Sequence, residues 1–120
     1  DFSSFLTIPD AIKFRKDYHW DDVSKKCKKN ILYARKEIHN ILQTPPLVEK
    51  NPEKWLGQMC SFPINYKDDV KLKNILINDY NIEIPVMKWN NKIGMRISLN
   101  GYNTDNDIDR LLIALKKILT

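Results

Sequence analysis

The sequence predicts an α+β fold: a small, largely antiparallel sheet of three to four strands, covered on one side by helices and preceded by a long helix. Three observations lead there. Val23, Cys27, Ile31, Ala34, Ile38 and Ile41 recur at spacings of three and four, which puts them on one stripe of a helix. Ile93, Met95, Ile97 and Leu99 alternate with other residues, which is the period of a strand with one buried face. The predicted order is helix, helix, strand, helix, strand, strand, helix, an α+β layer rather than a bundle or a barrel.

Taken in order, residues 1–20 read as a short opening segment followed by a helix. Pro9 suits its first turn, and Ile8, Ala11, Ile12 and Phe14 are expected to supply apolar contacts. The long helix runs from about Asp21 to Leu42. Asp21 or Asp22 favours its positive N-terminal end, and Thr44-Pro45-Pro46 stops it. Residues 44–55 form a polar connector with three prolines. Gln58–Ile64 reads as a strand that Pro63 confines to an edge or an end. Asp68 or Asp69 caps a helix carrying Val70, Leu72, Ile75 and Leu76 to about Asp79. The alternation of Ile82, Ile84 and Val86 with Glu83, Pro85 and Met87 predicts a second strand, and Asn90-Asn91 a tight turn into the third. The last helix carries Ile108, Leu111, Leu112, Leu115, Ile118 and Leu119 on one stripe. Thr104 and Asp107 stand at its start with capping-box spacing. The whole chain, 1–120, reads as one domain, with 1–43 the opening segment and long connecting helix and 44–120 the α+β small domain.

Composition narrows the function classes. A hydrophobic share of 42% and a charged share of 29% are those of an ordinary globular protein. No apolar run approaches the twenty or so residues of a membrane span, so no membrane partner is expected. The net charge of +5 is spread along the chain: residues 1–55 hold eleven basic and eight acidic groups, residues 56–120 nine and seven. Sixteen of the twenty basic residues are lysines. A nucleic-acid footprint concentrates its charge and favours arginine, so no nucleic-acid partner is expected. Cys27 and Cys60 form no Cys-x-x-Cys pair and have no clustered histidines nearby. Two free thiols in a cytoplasmic setting are expected, and no metal.

Several residues invite chemistry and have plainer explanations. Lys25, Lys26, Lys28 and Lys29 flank Cys27, but all four point at least roughly 100° away from it on a helix. They read as a solvated face with a buried cysteine opposite. His19, beside Trp20 at a helix boundary, and His39, next to the apolar stripe, lack carboxylate or thiol partners at a persuasive spacing. Arg96 is different. With Ser98 it shares the strand face opposite Ile93, Met95, Ile97 and Leu99. A guanidinium on a rigid strand, directed away from the helix-backed core, suits a bidentate grip on a carboxylate. Periodicity alone leaves open that it is merely solvated.

The run from Met95 through Arg96-Ile97-Ser98, Tyr102-Asn103-Thr104 and the acidic start of the last helix resembles the closing signature of class V aminotransferases. Phe2–Ile12, Gln58–Ile64 and Tyr80–Val86 resemble segments of the isopenicillin N epimerase-like branch, in the same order along the chain. The resemblance implies the C-terminal small domain of a pyridoxal-phosphate enzyme of fold type I, in which the arginine matching Arg96 grips the substrate's α-carboxylate. Asn103 and Thr104 are expected to shape the strand-to-helix turn, and Tyr102 to pack.

The same resemblance makes the chain a C-terminal fragment, and its first residue, Asp1, is not a methionine. No lysine lies in the His-Lys context of the family's cofactor lysine, and Gly57, Gly94 and Gly101 are too isolated for a phosphate loop. Catalytic and cofactor-binding residues are therefore expected in an upstream large domain. Pyridoxal phosphate is expected in the full-length enzyme, a homodimer acting on an amino acid, and none bound to this fragment. The Arg-x-Gly-x-His-Cys segment of many cysteine desulfurases is missing near residues 57–62, so Cys60 reads as a strand residue. Epimerase, aminotransferase and lyase chemistry remain open, and a stand-alone interaction module using the open sheet face is the alternative.

Overall fold

The computed structural model describes residues 2–48 and 51–119. Asp1, Glu49, Lys50 and Thr120, which belong to the opening segment, the connector and the chain end, lie outside the described residues. The elements are helices α1 (Ser3–Leu6), α2 (Ile8–Asp17), α3 (Trp20–Leu42) and α4 (Pro52–Trp55), strand β1 (Met59–Ile64), helix α5 (Asp69–Tyr80), strands β2 (Val86–Trp89) and β3 (Lys92–Ser98), and helix α6 (Asp105–Leu119).

The α+β expectation holds, with three strands. The sheet order is β1-β3-β2 and both pairings are antiparallel. Cross-strand partners share a face, so the register sorts the side chains. Cys60 pairs with Ile97, Phe62 with Met95 and Ile64 with Ile93, and all six are buried. Cys60, Phe62, Ile64, Met95 and Ile97 meet Ile31, Ala34 and Ile38 of α3, Leu72 and Leu76 of α5, and Ile108, Leu111 and Leu115 of α6 in one core. The opposite face, carrying Met59, Ser61, Arg96 and Ser98, is exposed.

Local chemistry explains the element ends. Asp68 Oδ1 accepts from the Lys71 N–H at 2.9 Å and caps α5. At α6 the Thr104 N–H donates to Asp107 Oδ2 at 2.8 Å, and the Asp107 N–H donates to Thr104 Oγ1 at 3.4 Å. This is the expected reciprocal cap, and its hydrogen bonds hold the Asp107 carboxyl below the usual carboxylate range. Asn90 and Asn91 both take left-handed φ, 49° and 60°, as a two-residue hairpin requires. Asn103 Oδ1 accepts from the Asn100 N–H at 2.8 Å, fixing the turn from β3 to α6.

Three expectations need correction. The second strand begins at Val86, not at Ile82. Ile82 spends its N–H on Leu76 O at 2.8 Å, completing the C-terminal cap of α5, and Pro85 has no N–H to offer a ladder. The alternation survives in burial alone, with Ile82, Ile84 and Val86 half-buried. The apolar residues of the opening helices do not reach the core: Ile8, Ala11, Ile12 and Phe14 are exposed, and neither α1 nor α2 buries any residue. Phe14 does make apolar contacts, but local ones: its ring is tilted against Tyr18 and Trp20, with centroids 4.5 and 5.5 Å away. Tyr102 does not pack either, being 81% exposed on the turn. Trp20 and Val23 sit against Gly101 in its place.

The core's edge carries a titratable group. The His39 ring lies 5.3 Å from the Phe62 ring, centroid to centroid. Burial, and secondarily the Arg35 guanidinium, push its pKa below the ordinary 6.5, with the Thr44 backbone opposing. Protonation then favours the unfolded chain. Stability should fall as pH drops below about 6.5, above the range where carboxylates titrate. His39→Gln should lack this decline in denaturant titrations at successive pH values. Phe62→Ala, emptying the centre of the sheet–helix interface, should cost ~3–5 kcal/mol of unfolding free energy in urea titrations.

Candidate functional site

Arg96 lies where its strand period places it. On the central strand, its backbone N–H donates to Pro85 O at 3.0 Å and its Cα faces Ser61 of β1. Met95 and Ile97 on either side are buried, so the Arg96 side chain must leave on the open face. Among the described residues its guanidinium makes no hydrogen bond or ion pair.

Arg96 borders a depression of about 350 Å³ at the outer edge of β1. That is large enough for a small organic ligand. The positive charge comes from Arg96 and from Arg35 of α3, while Ser61, Cys60 and His39 add polar atoms. Leu47, Val48, Trp55, Leu56 and Met59 form apolar walls. Among the described residues no carboxylate and no lysine lines it.

The walls are tied together from three sides. Arg35 Nη2 donates to Val48 O at 2.6 Å, joining α3 to the connector. Thr44 Oγ1 donates to Pro63 O at 3.2 Å, joining the connector to β1. The start of β1 is clamped to the end of β3, because the Leu99 N–H donates to Gln58 O and Gln58 Nε2 to Leu99 O, both at 2.9 Å. Leu56, buried, anchors α4 beside them.

The depression suits anion binding better than bond-making. Burial pushes the Cys60 thiol above its usual value of 9.0, against opposing effects of Arg35 and the Ser61 backbone. A thiol of that kind is protonated near neutral pH and is a poor nucleophile. His39 has a buried Nδ1 without a hydrogen-bond partner and is biased toward the neutral form.

Sequence reasoning placed Arg96 and missed Arg35. On a helix of mixed polarity Arg35 looks like any solvated cation, and only the folding of the connector across α3 brings it to β1. Of the four lysines flanking buried Cys27, Lys25, Lys26 and Lys29 are exposed as expected of a solvated helix face, and Lys28 is half-buried. Cys27 and Cys60 are both unbridged. Among the described residues no three His, Cys, Asp or Glu side chains gather as for a metal, and no helix is long and apolar enough to cross a membrane.

No family model matches the chain. It is 24% identical over 119 residues to isopenicillin N epimerase from Amycolatopsis lactamdurans, an alignment covering 98% of this chain and 30% of that protein. Its fold matches part of 8-amino-7-oxononanoate synthase from Francisella tularensis with a TM-score of 0.66 and 21% identity, covering 89% of this chain and 30% of that one. The second likeness is one of fold alone. The chain thus spans 30% of the length of each protein, and nearly all of it is similar to part of an isopenicillin N epimerase.

Proposed function

We propose that this chain is the C-terminal, substrate-carboxylate-binding domain of a pyridoxal-phosphate enzyme acting at the α-carbon of an amino acid. The observation that carries the reading is Arg96: among the described residues, a guanidinium fixed on the central strand without a protein partner, bordering a depression to which none of them adds a carboxylate. The similarity to an isopenicillin N epimerase along nearly the whole chain supports the same reading.

The residues present do not fit the cofactor itself. Among the described residues no lysine lines the depression, and the three glycines are isolated in sequence. In this reading the cofactor, its lysine and the catalytic groups belong to an upstream large domain of a homodimeric, cytoplasmic enzyme. The exposed Met59, Met87 and Trp89 on the open sheet face, and Phe5 and Leu6 on α1 with Phe2 just before it, are apolar surface for that domain to cover. Arg96 binds the substrate carboxylate and holds the α-carbon in one orientation, while the apolar walls limit water. Epimerisation, transamination and elimination all need that orientation, so the fragment does not discriminate among them.

In the full-length protein, Arg96→Ala should weaken amino-acid binding by on the order of tenfold or more while the cofactor's absorbance is retained. Unchanged affinity would remove Arg96 from the site. The 120-residue chain alone, mixed with pyridoxal phosphate and reduced with borohydride, should give scattered lysine adducts by mass spectrometry. A stoichiometric adduct at one lysine would place the cofactor in this domain.

A further inference from the structure

Between α5 and β2, residues 81–85 form a short strap that runs up to the sheet without joining its ladder. Val86 stands opposite Met95 and Met87 opposite Gly94. Continued toward α5, that register sets Ile84 opposite Ile97, Glu83 opposite Ser98 and Ile82 opposite Leu99. Residues of a central strand turn their N–H and C=O groups alternately to one neighbour and to the other. The Arg96 N–H goes to Pro85 O and the Leu99 N–H to Gln58 O, so the Ser98 backbone faces the strap. Yet no hydrogen bond joins Ser98 to Glu83. Both residues line a cleft of about 200 Å³, together with Ile82, Ile84, Ile97 and Leu99.

We propose that the strap is a clasp with two positions, held open by Pro85. In the closed position Glu83 and Ser98 exchange two backbone hydrogen bonds, and Ile82 and Ile84 cover the cleft. Pro85 opposes this: its ring fixes φ at about −65°, short of the extended value of a strand, and it offers Arg96 no N–H. No existing tether has to break. In the closed register the Ile82 N–H points away from β3, so its bond to Leu76 O survives, and Pro85 O keeps the Arg96 N–H. Two backbone bonds and the cover of two half-buried isoleucines favour closing, and the ordering of three residues opposes it. Closing carries the ladder past Arg96, so the clasp sets how firmly that strand is held. The inference does not depend on what Arg96 binds.

Pro85→Val supplies the missing N–H and frees φ. NMR on the 120-residue chain reads the outcome, with thermal melts to confirm folding and Pro85→Ala as a second variant with the same expectation. The Glu83 and Ser98 amides should exchange with solvent on the order of tenfold more slowly than in the parent chain. An NOE between the Ile84 and Ile97 α-protons should strengthen, because those residues become a close, non-hydrogen-bonded pair. Exchange of the Arg96 amide should slow as well. Glu83 and Ser98 amides as unprotected in the folded variants as in the parent would overturn the clasp. So would protection without the Ile84–Ile97 contact, or closure that leaves the Arg96 exchange rate unchanged.

Discussion

The packing of one sheet face against α3, α5 and α6 governs everything else in this domain. Phe62 and Met95, opposite each other on β1 and β3, are fully buried beneath Ile31, Leu76 and Leu115. Side chains alternate along a strand, so burying Met95 and Ile97 leaves Arg96 no direction but outward. A slip of one residue in the pairing would drive the guanidinium into the core and expose four apolar side chains. The hydrophobic contact and the placement of the charge are thus one constraint, and the hairpin at Asn90-Asn91 keeps it in register.

The elements legible in the sequence were those whose apolar spacing is satisfied within the domain. The stripes of α3 and α6 and the alternation of β3 read directly, because each buried position meets a partner in the same 120 residues. Where the pattern misled, a competing local bond or a missing partner explains it. Ile82 has the alternation of a strand, yet its N–H closes the cap of α5 and Pro85 cannot join a ladder. Ile8, Ile12 and Phe14 have the composition of a buried helix face but stay about half exposed, Phe14 meeting only the nearby Tyr18 and Trp20 rings.

The candidate site was half legible for the same reason. Arg96 belongs to a strand whose period announces which residues face out. Arg35 reaches the depression only because the proline-rich connector folds back across α3 and β1, and no periodicity encodes that. The exposed apolar side chains of α1, the open sheet face and the Arg96 guanidinium share one character: each presents surface that the described residues do not themselves satisfy. A domain that builds its own core yet leaves these groups unmatched is suited to completing a pocket with other polypeptide.

The most direct test is a structure of the longer polypeptide with an amino-acid ligand bound. The proposed role predicts the ligand carboxylate within hydrogen-bond distance of the Arg96 guanidinium, between the open sheet face and the cofactor-bearing part of the chain. A carboxylate bound elsewhere, with Arg96 still facing bulk water, would contradict it.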